Sequence, residues 1–331
     1  MKPAKATAHS NIALCKYWGK RTGVPAELNL PATSSLSMTL DGLWTETELH
    51  PAGSDRFELD GVVHSDEVAR KVWAHLDRLW NADGRTGNRP TVSVRSTNHL
   101  PTAAGLASSA SGFAALTLAA AAAFEVQLDR SALSGLARMG SGSAARSLWG
   151  GFVRLDRGHR PDGSDCLAKP VLPAEHWDVR LLVIQTTAGK KPIGSTAGME
   201  RSRTTSPYYG AWIDGSEADL ERAQAALFAR DLGALGPVVE HSALKMHACM
   251  LASDPAILYW NGTTVEVMRA VWQARAEGLA GYVTIDAGPH VKVLCDSSTA
   301  DALAKRLAAV PGVVATRSCA PGPDAATEVL A

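Results

Sequence analysis

The stretch Pro101-Thr102-Ala103-Ala104-Gly105-Leu106-Ala107-Ser108-Ser109-Ala110-Ser111-Gly112 joins the strand-like run Thr91–Ser96 to an apolar helical run from Phe113 to Phe124. Strand, small-residue loop and helix start together leave free backbone N–H groups at a helix N-terminus, where the dipole favours an anion. Gly105 lets the backbone approach a ligand, and Ser108 and Ser109 offer hydroxyl donors. The arrangement points to a nucleoside triphosphate held without a Walker loop, because no G-x-x-x-x-G-K-[ST] occurs in the chain. Taken alone, it also reads as a well-capped helix start. Other segments must converge on the same place for the first reading to stand.

The chain has 331 residues, room for two ordinary domains or one large one. With 46% hydrophobic and 20% charged residues it has the composition of a soluble globular protein. Its 33 basic and 33 acidic residues balance, which gives no support to nucleic-acid binding or to a basic membrane surface. An anionic ligand must therefore be gripped by a local cluster of charges. The odd set Cys15, Cys166, Cys249, Cys295 and Cys319 contains no C-x-x-C pair and fits reduced thiols in a cytoplasmic protein. The N-terminal ten residues are too polar for a secretory signal, and the apolar run Leu116–Phe124 is far below the ~20 residues of a membrane span. Its alanines suit a tightly packed internal helix.

Residues 1–60 read as strand-rich, with Ser35–Leu40 alternating and Trp44–Leu49 following a turn at Asp41-Gly42. Asp66 to Trp80 is a predicted helix with Val68, Val72, Leu76 and Leu79 on one face. A second helix spans Ser131–Arg138, with Asp129 as N-cap, and stops at Gly140. Strands are expected at Trp149–Leu155, Trp177–Gln185 and Gly281–Thr284, and helices at Glu217–Phe228, Val265–Glu277 and Ala300–Ala309. This irregular alternation favours an α+β fold over a doubly wound parallel sheet.

Four further segments carry groups suited to a site. In Lys16-Tyr17-Trp18-Gly19-Lys20-Arg21, three cations beside two aromatics could clamp a phosphorylated ligand, or form a solvated basic patch. In Gly140-Ser141-Gly142-Ser143-Ala144-Ala145-Arg146-Ser147, one guanidinium among hydroxyls could grip a carboxylate with two parallel hydrogen bonds, or lie on the surface. The segment Lys190-Lys191-Pro192-Ile193-Gly194-Ser195-Thr196-Ala197-Gly198-Met199 reads as a mobile loop able to close over an anion, or as an ordinary basic loop. Asp286 closes the strand Gly281–Thr284 and precedes Ala287-Gly288-Pro289, a place for a catalytic acid or for a turn-forming aspartate. No H-E-x-x-H metal motif or G-x-S-x-G elbow competes, and His247 and His290 read as packed, hydrogen-bonding residues.

Taken together these segments resemble the diphosphomevalonate decarboxylases of the GHMP kinase superfamily. The resemblance rests on Asn11-Ile12-Ala13 with Lys16-Tyr17-Trp18-Gly19-Lys20, Leu28-Asn29-Leu30-Pro31 with Ser34-Ser35-Leu36-Ser37, Pro101 to Gly112, Gly140 to Ser147, Ser195 with Gly198-Met199, and Asp286-Ala287-Gly288-Pro289. These pieces stand in the family's order over roughly residues 7 to 291. The lysine–tyrosine–tryptophan and glycine–serine pieces are specific to this branch, while the cradle belongs to the whole superfamily.

The resemblance implies a two-domain GHMP kinase fold of class α+β, with a nucleotide-binding domain over 1–180, a C-terminal domain over 181–331, an active site in the cleft between them, and a homodimer. It implies ATP-dependent, magnesium-assisted conversion of mevalonate diphosphate to isopentenyl diphosphate through a 3-phosphorylated intermediate, in the mevalonate pathway of isoprenoid biosynthesis. It assigns catalysis to Asp286, Lys16 and Arg146, and substrate binding to Tyr17, Lys20, Ser141, Ser143, Arg146, Ser195 and Met199. It places ATP against Ser96, Asn98, Pro101, Gly105, Leu106, Ala107, Ser108, Ser109, Ser111, Lys190 and Lys191, and leaves the metal ligands unassigned. The chain departs from the family's usual pattern at Thr33, Asn98-His99-Leu100-Pro101, Ala145 and His290, none of which removes a charged group from the set. Alternatives within the fold are a decarboxylase of 5-phosphomevalonate and a mevalonate-type kinase that releases no carbon dioxide.

Overall fold

The computed structural model describes residues 1–99, 108–187, 189 and 193–330, Ser108 by its backbone alone. Strand β1 (Ala4–Cys15) alternates buried with half-exposed residues up to His9 and is buried throughout from Ser10 onward. Its antiparallel neighbour β2 (Ser35–Pro51) is one continuous strand. The turn expected at Asp41-Gly42 is absent: Gly42 takes φ 74°, and the register against β1 slips between His9 and Asn11. A bulge of this kind bends a strand without ending it.

The hairpin β3 (Arg56–Leu59) and β4 (Val62–His64) leads into helix α1 (Glu67–Asn81), whose N-cap Asp66 accepts the Val68 N–H. Strand β5 (Val92–His99) pairs with β2 and, in parallel, with β3. Helix α2 (Ser108–Ala123) follows, apolar on all sides, with Ala114, Ala115, Ala119, Ala120 and Ala123 fully buried. Small side chains let it lie close against β1 and β2, as the alanine-rich sequence predicts. Helix α3 (Arg130–Gly140) begins at its expected cap, Asp129, and a buried 3-10 turn at Ala144–Leu148 precedes β6 (Phe152–Leu155) and β7 (Ala168–Leu172).

Strand β8 (Val179–Gln185) opens a second sheet. Helices α4 (Ser195–Thr205), α5 (Tyr209–Phe228), α6 (Leu232–Leu251) and α7 (Gly262–Ala276) come next. The chain ends with β9 (Tyr282–Ile285), β10 (Val291–Asp296), α8 (Ser297–Ala308), β11 (Ala315–Cys319) and β12 (Ala326–Val329). The first sheet has the order β12-β1-β2-β5-β3-β4, with β6 beside β2; the second has β11-β8-β10-β9 and is antiparallel throughout. The fold is α+β in two halves, as expected, and β12 returns to pair with β1.

Two helices escape the sequence reading. The first turns of α4 fall in the segment read as a mobile loop; only Gly198, Met199 and Ser202 of this helix are buried, so no apolar stripe announces it. In α6, Gly233, Gly236 and Pro237 break the expected pattern. Gly236 is there for space: a Cβ would stand 2.1 Å from the Tyr282 ring. The two halves share a hydrophobic core in which Ile12, Leu14, Leu36 and Met38 of the first sheet pack on Leu220 and Leu227 of α5 and Leu235 and Val239 of α6. An apolar seam of this kind resists relative movement, so the walls of the adjoining cleft are held in place. Among the described residues no helix is long and apolar enough to cross a membrane.

Candidate active site

A cleft of about 780 Å³ opens beside that seam. Its walls come from the chain after β1, the start of α2, the Gly140–Ser143 turn, Arg146, the start of α4 and the loop after β9. Of the residues singled out in the sequence, Lys16, Tyr17, Lys20, Ser96, Asn98, Ser109, Ser141, Ser143, Arg146, Ser195, Met199 and Asp286 all line it. Ser111 does not: it is fully buried and bonds Thr45 Oγ1 at 2.7 Å and Ser10 Oγ at 3.3 Å, tying α2 to the sheet. Pro101, Gly105, Leu106, Ala107, Lys190 and Lys191 lie outside the described residues, as does the Ser108 side chain.

Asp286 sits where β9 gives way to a tight loop, with the Gly288 N–H donating to its carbonyl at 2.7 Å. Lys16 Nζ donates to Oδ1 at 2.7 Å, and Lys292 Nζ lies 3.1 Å from Oδ2. Both lysines are buried, at 1% and 3% side-chain exposure, whereas the carboxylate keeps 35% of its side-chain surface open. Burial alone would raise the Asp286 carboxyl; the charges of Lys16 and Lys292 outweigh it and hold the group well below the usual carboxylate range. Burial pulls the Lys16 ammonium down, opposed by Asp286. Lys16 is fixed further by donating to the Ala13 carbonyl at 2.9 Å, while its backbone N–H donates to Ser242 Oγ of α6 at 3.0 Å. Behind the aspartate, His247 Nε2 lies 3.1 Å from the Asp286 carbonyl and 3.3 Å from that of Ile285, so it donates. Burial drives this imidazole down to about 3, and the ring is neutral.

Arg146 is 2% exposed and forms no ion pair among the described residues. Its Nη1 donates to Ser35 Oγ at 2.6 Å and its Nε to Asn11 Oδ1 at 3.3 Å. Asn11 is oriented in turn by donating to Ser147 Oγ at 2.8 Å and to the Ser143 carbonyl at 3.0 Å. Burial lowers the guanidinium to about 10, so it stays charged at neutral pH. A buried cation with only neutral partners is suited to a ligand anion. The remaining bonding capacity of this fork matches a carboxylate.

At the same end of the cleft, Lys20 Nζ donates to Tyr17 OH at 2.7 Å and to Asn29 Oδ1. Gly142 makes room for the tyrosine, since a Cβ there would come within 2.3 Å of its hydroxyl. Ser141 Oγ reaches toward Ser109 Oγ at 3.4 Å and Ser143 Oγ at 3.3 Å, which brings the Gly140–Ser147 segment against the start of α2. Asn11, Ser35, Asn29, His247 and Lys292 were not assigned site roles from sequence. Lys292 had one legible signal, a lone cation inside the apolar strand Val291-Lys292-Val293-Leu294-Cys295. Among the described residues no three His, Cys, Asp or Glu side chains gather to hold a metal.

Comparison with known proteins places this geometry. Residues 8–168 match the family described as the diphosphomevalonate decarboxylase-like N-terminal domain, and residues 181–320 the mevalonate 5-diphosphate decarboxylase C-terminal domain. The diphosphomevalonate decarboxylase of Candida albicans is 37% identical over 332 residues, covering 94% of this chain and 90% of its own. The crystal structure of mevalonate diphosphate decarboxylase from Staphylococcus aureus superposes with TM-score 0.91 at 35% identity, over 100% of this chain and 98% of that one. A structure described as MDDEF in complex with MVAPP, AMPPCP and magnesium gives TM-score 0.90 at 37% identity, over 99% of each chain.

Proposed function

The chain belongs to the diphosphomevalonate decarboxylase family, and from that premise we propose how its cleft carries out ATP-dependent decarboxylation of (R)-5-diphosphomevalonate. The products are isopentenyl diphosphate, carbon dioxide, ADP and phosphate, in the mevalonate route to isoprenoids. One observation carries the assignment of roles: Asp286, held ionised, and Arg146, a buried cation with no ion-pair partner among the described residues, line the same cleft.

A tertiary hydroxyl is a poor leaving group and must first be phosphorylated. Asp286 orients that hydroxyl and takes its proton as the phosphoryl group arrives. Its partner Lys16, anchored from β1 and α6, keeps the carboxylate aimed into the cleft. When phosphate departs, positive character grows at carbon 3, and the Asp286 carboxylate stabilises it while carbon dioxide leaves from the adjacent carbon. Arg146 holds the substrate carboxylate. A tight ion pair there opposes carboxylate loss, so its contribution is orientation more than acceleration. Tyr17 and Lys20 bind the diphosphate, with Ser141, Ser143, Ser195 and Met199 completing the substrate wall.

ATP phosphates fit the start of α2, where the hydroxyls of Ser109 and Ser141 face each other. Ser96 and Asn98 line the same cleft on the nucleotide side. Magnesium, when bound, neutralises charge on those phosphates. Ser109 and Ser141, whose hydroxyls lie 3.4 Å apart at the start of α2, are the protein groups that would hold the ion beside those phosphates. We further infer a division into domains 1–180 and 181–331, a homodimer, and a cytoplasmic location.

The test is incubation with ATP–magnesium and, separately, mevalonate, its 5-phosphate and its 5-diphosphate, following ADP and carbon dioxide together. Release of both from the 5-diphosphate is expected. ADP without gas would mark a kinase, and preference for the 5-phosphate would mark the shorter substrate.

A further inference from the structure

We propose that Lys292 is a positioning residue for this reaction, pinning the second carboxylate oxygen of Asp286 from behind the cleft so that a fixed, charged aspartate faces the substrate hydroxyl. The inference rests on the role given to Asp286 above. The local chain path brings the two together. β9 ends at Ile285, five residues turn the chain back, and β10 pairs Val291 with Ile285 and Lys292 with Thr284. Lys292 therefore returns beside Asp286, with Nζ 3.1 Å from Oδ2 and 3.5 Å from the His290 carbonyl.

Burying an ammonium is expensive unless it is paired. Every other residue from Val291 to Cys295 is apolar and buried, so a strand needed only for packing has no use for a lysine at this position. Lys16 already pairs with Oδ1. The second ammonium leaves the carboxylate plane held at both oxygens, and rotation of the Asp286 side chain breaks two charged contacts instead of one. Lys292 itself is not part of the cleft wall. It acts through Asp286 and does not touch the reacting atoms. The groups facing Asp286 are Lys16 from the end of β1, Lys292 from β10, Arg146 from the 3-10 turn, neutral His247 from α6, and the His290 backbone.

Without the second ammonium the carboxylate plane is held only through Lys16, so the cost falls on turnover and not on substrate binding. The experiment compares wild type, Lys292→Met, Lys292→Arg, Asp286→Asn and the double variant Asp286→Asn/Lys292→Met, each with ATP–magnesium and diphosphomevalonate. ADP and carbon dioxide are followed together at neutral pH. Turnover by the wild type tests the proposed function independently of Lys292. With activity present, Lys292→Met is expected to lower kcat about 10-fold with KM within about 2-fold. Lys292→Arg, which keeps a charged donor beside Oδ2, restores most of kcat. In the Asp286→Asn background the methionine changes nothing further, because its effect runs through the carboxylate. An unchanged kcat in Lys292→Met overturns the proposal, and so does a loss of equal factor in both backgrounds. If Lys292→Met does not fold, as judged by thermal melting and binding of a non-hydrolysable ATP analogue, Lys292→Gln carries the same comparison in both backgrounds, and an unchanged kcat there overturns the proposal.

Discussion

Lys16 Nζ stands 2.7 Å from Asp286 Oδ1, although 270 positions separate the two in the chain. Their meeting depends on the hydrophobic seam that fixes β1 against α5 and α6 and on the Ser242 hydroxyl that takes the Lys16 backbone N–H. Substituting Lys16→Met should lower turnover by ~100-fold, the scale of a lost positioned group, while the fold survives because Lys292 still pairs with the aspartate. Steady-state rates together with circular dichroism check both halves of this expectation.

Arg146→Lys should raise KM by ~10-fold or more. A lysine keeps the charge but loses the planar fork that bonds Ser35 and Asn11 while leaving donors for a carboxylate. Substrate binding measured by calorimetry should show the loss directly; unchanged affinity would remove Arg146 from the carboxylate subsite.

Gly142→Ala tests the diphosphate end. The new methyl falls 2.3 Å from Tyr17 OH, so the ring must move, and with it the Lys20 ammonium that bonds the hydroxyl. KM for the diphosphate substrate should rise about 10-fold, the scale of one lost charge-assisted contact, with nucleotide affinity little changed. Titration with each ligand separately resolves the two effects.

The buried histidines predict how stability responds to acid. Burial drives His75 and His247 each down to about 3, below the ordinary value of ~6.5. Between those values the unfolded chain binds protons that the folded chain does not, so stability falls as pH drops through that window, on the order of 1 kcal/mol per pH unit for each histidine. Asp286 has the same direction of pH dependence over a lower range: its depressed carboxyl contributes above the ordinary carboxylate range of ~4, and that contribution is lost as pH falls toward the native value. Urea midpoints across this range should decline with acid, and His75→Gln should flatten the decline.

Much of this was legible in the sequence because the informative residues sit at element ends. Asp129 caps the helix it was expected to cap, Asp66 stands one residue outside the helix it was expected to begin, and the alanine-rich run is the buried part of helix α2. Asp286, Arg146, Lys16 and Tyr17 announce themselves as polar groups beside glycine-rich turns. What the sequence conceals is packing from afar. Gly236 and Pro237 look like helix breakers until Tyr282 is seen lying against the glycine. Gly42 looks like a turn until its neighbours β1 and β2 are seen to continue past it. Lys292 and His247 take their meaning from contacts with Asp286 and its carbonyl, and no spacing rule links them to it.

The most direct test of the central claim is the turnover of Asp286→Asn on diphosphomevalonate with ATP–magnesium, with ADP and carbon dioxide followed together. Both products should fall by ~100-fold or more, with a much smaller change in substrate affinity. A near-normal rate in that variant would contradict the assignment of Asp286 to the chemistry of this cleft.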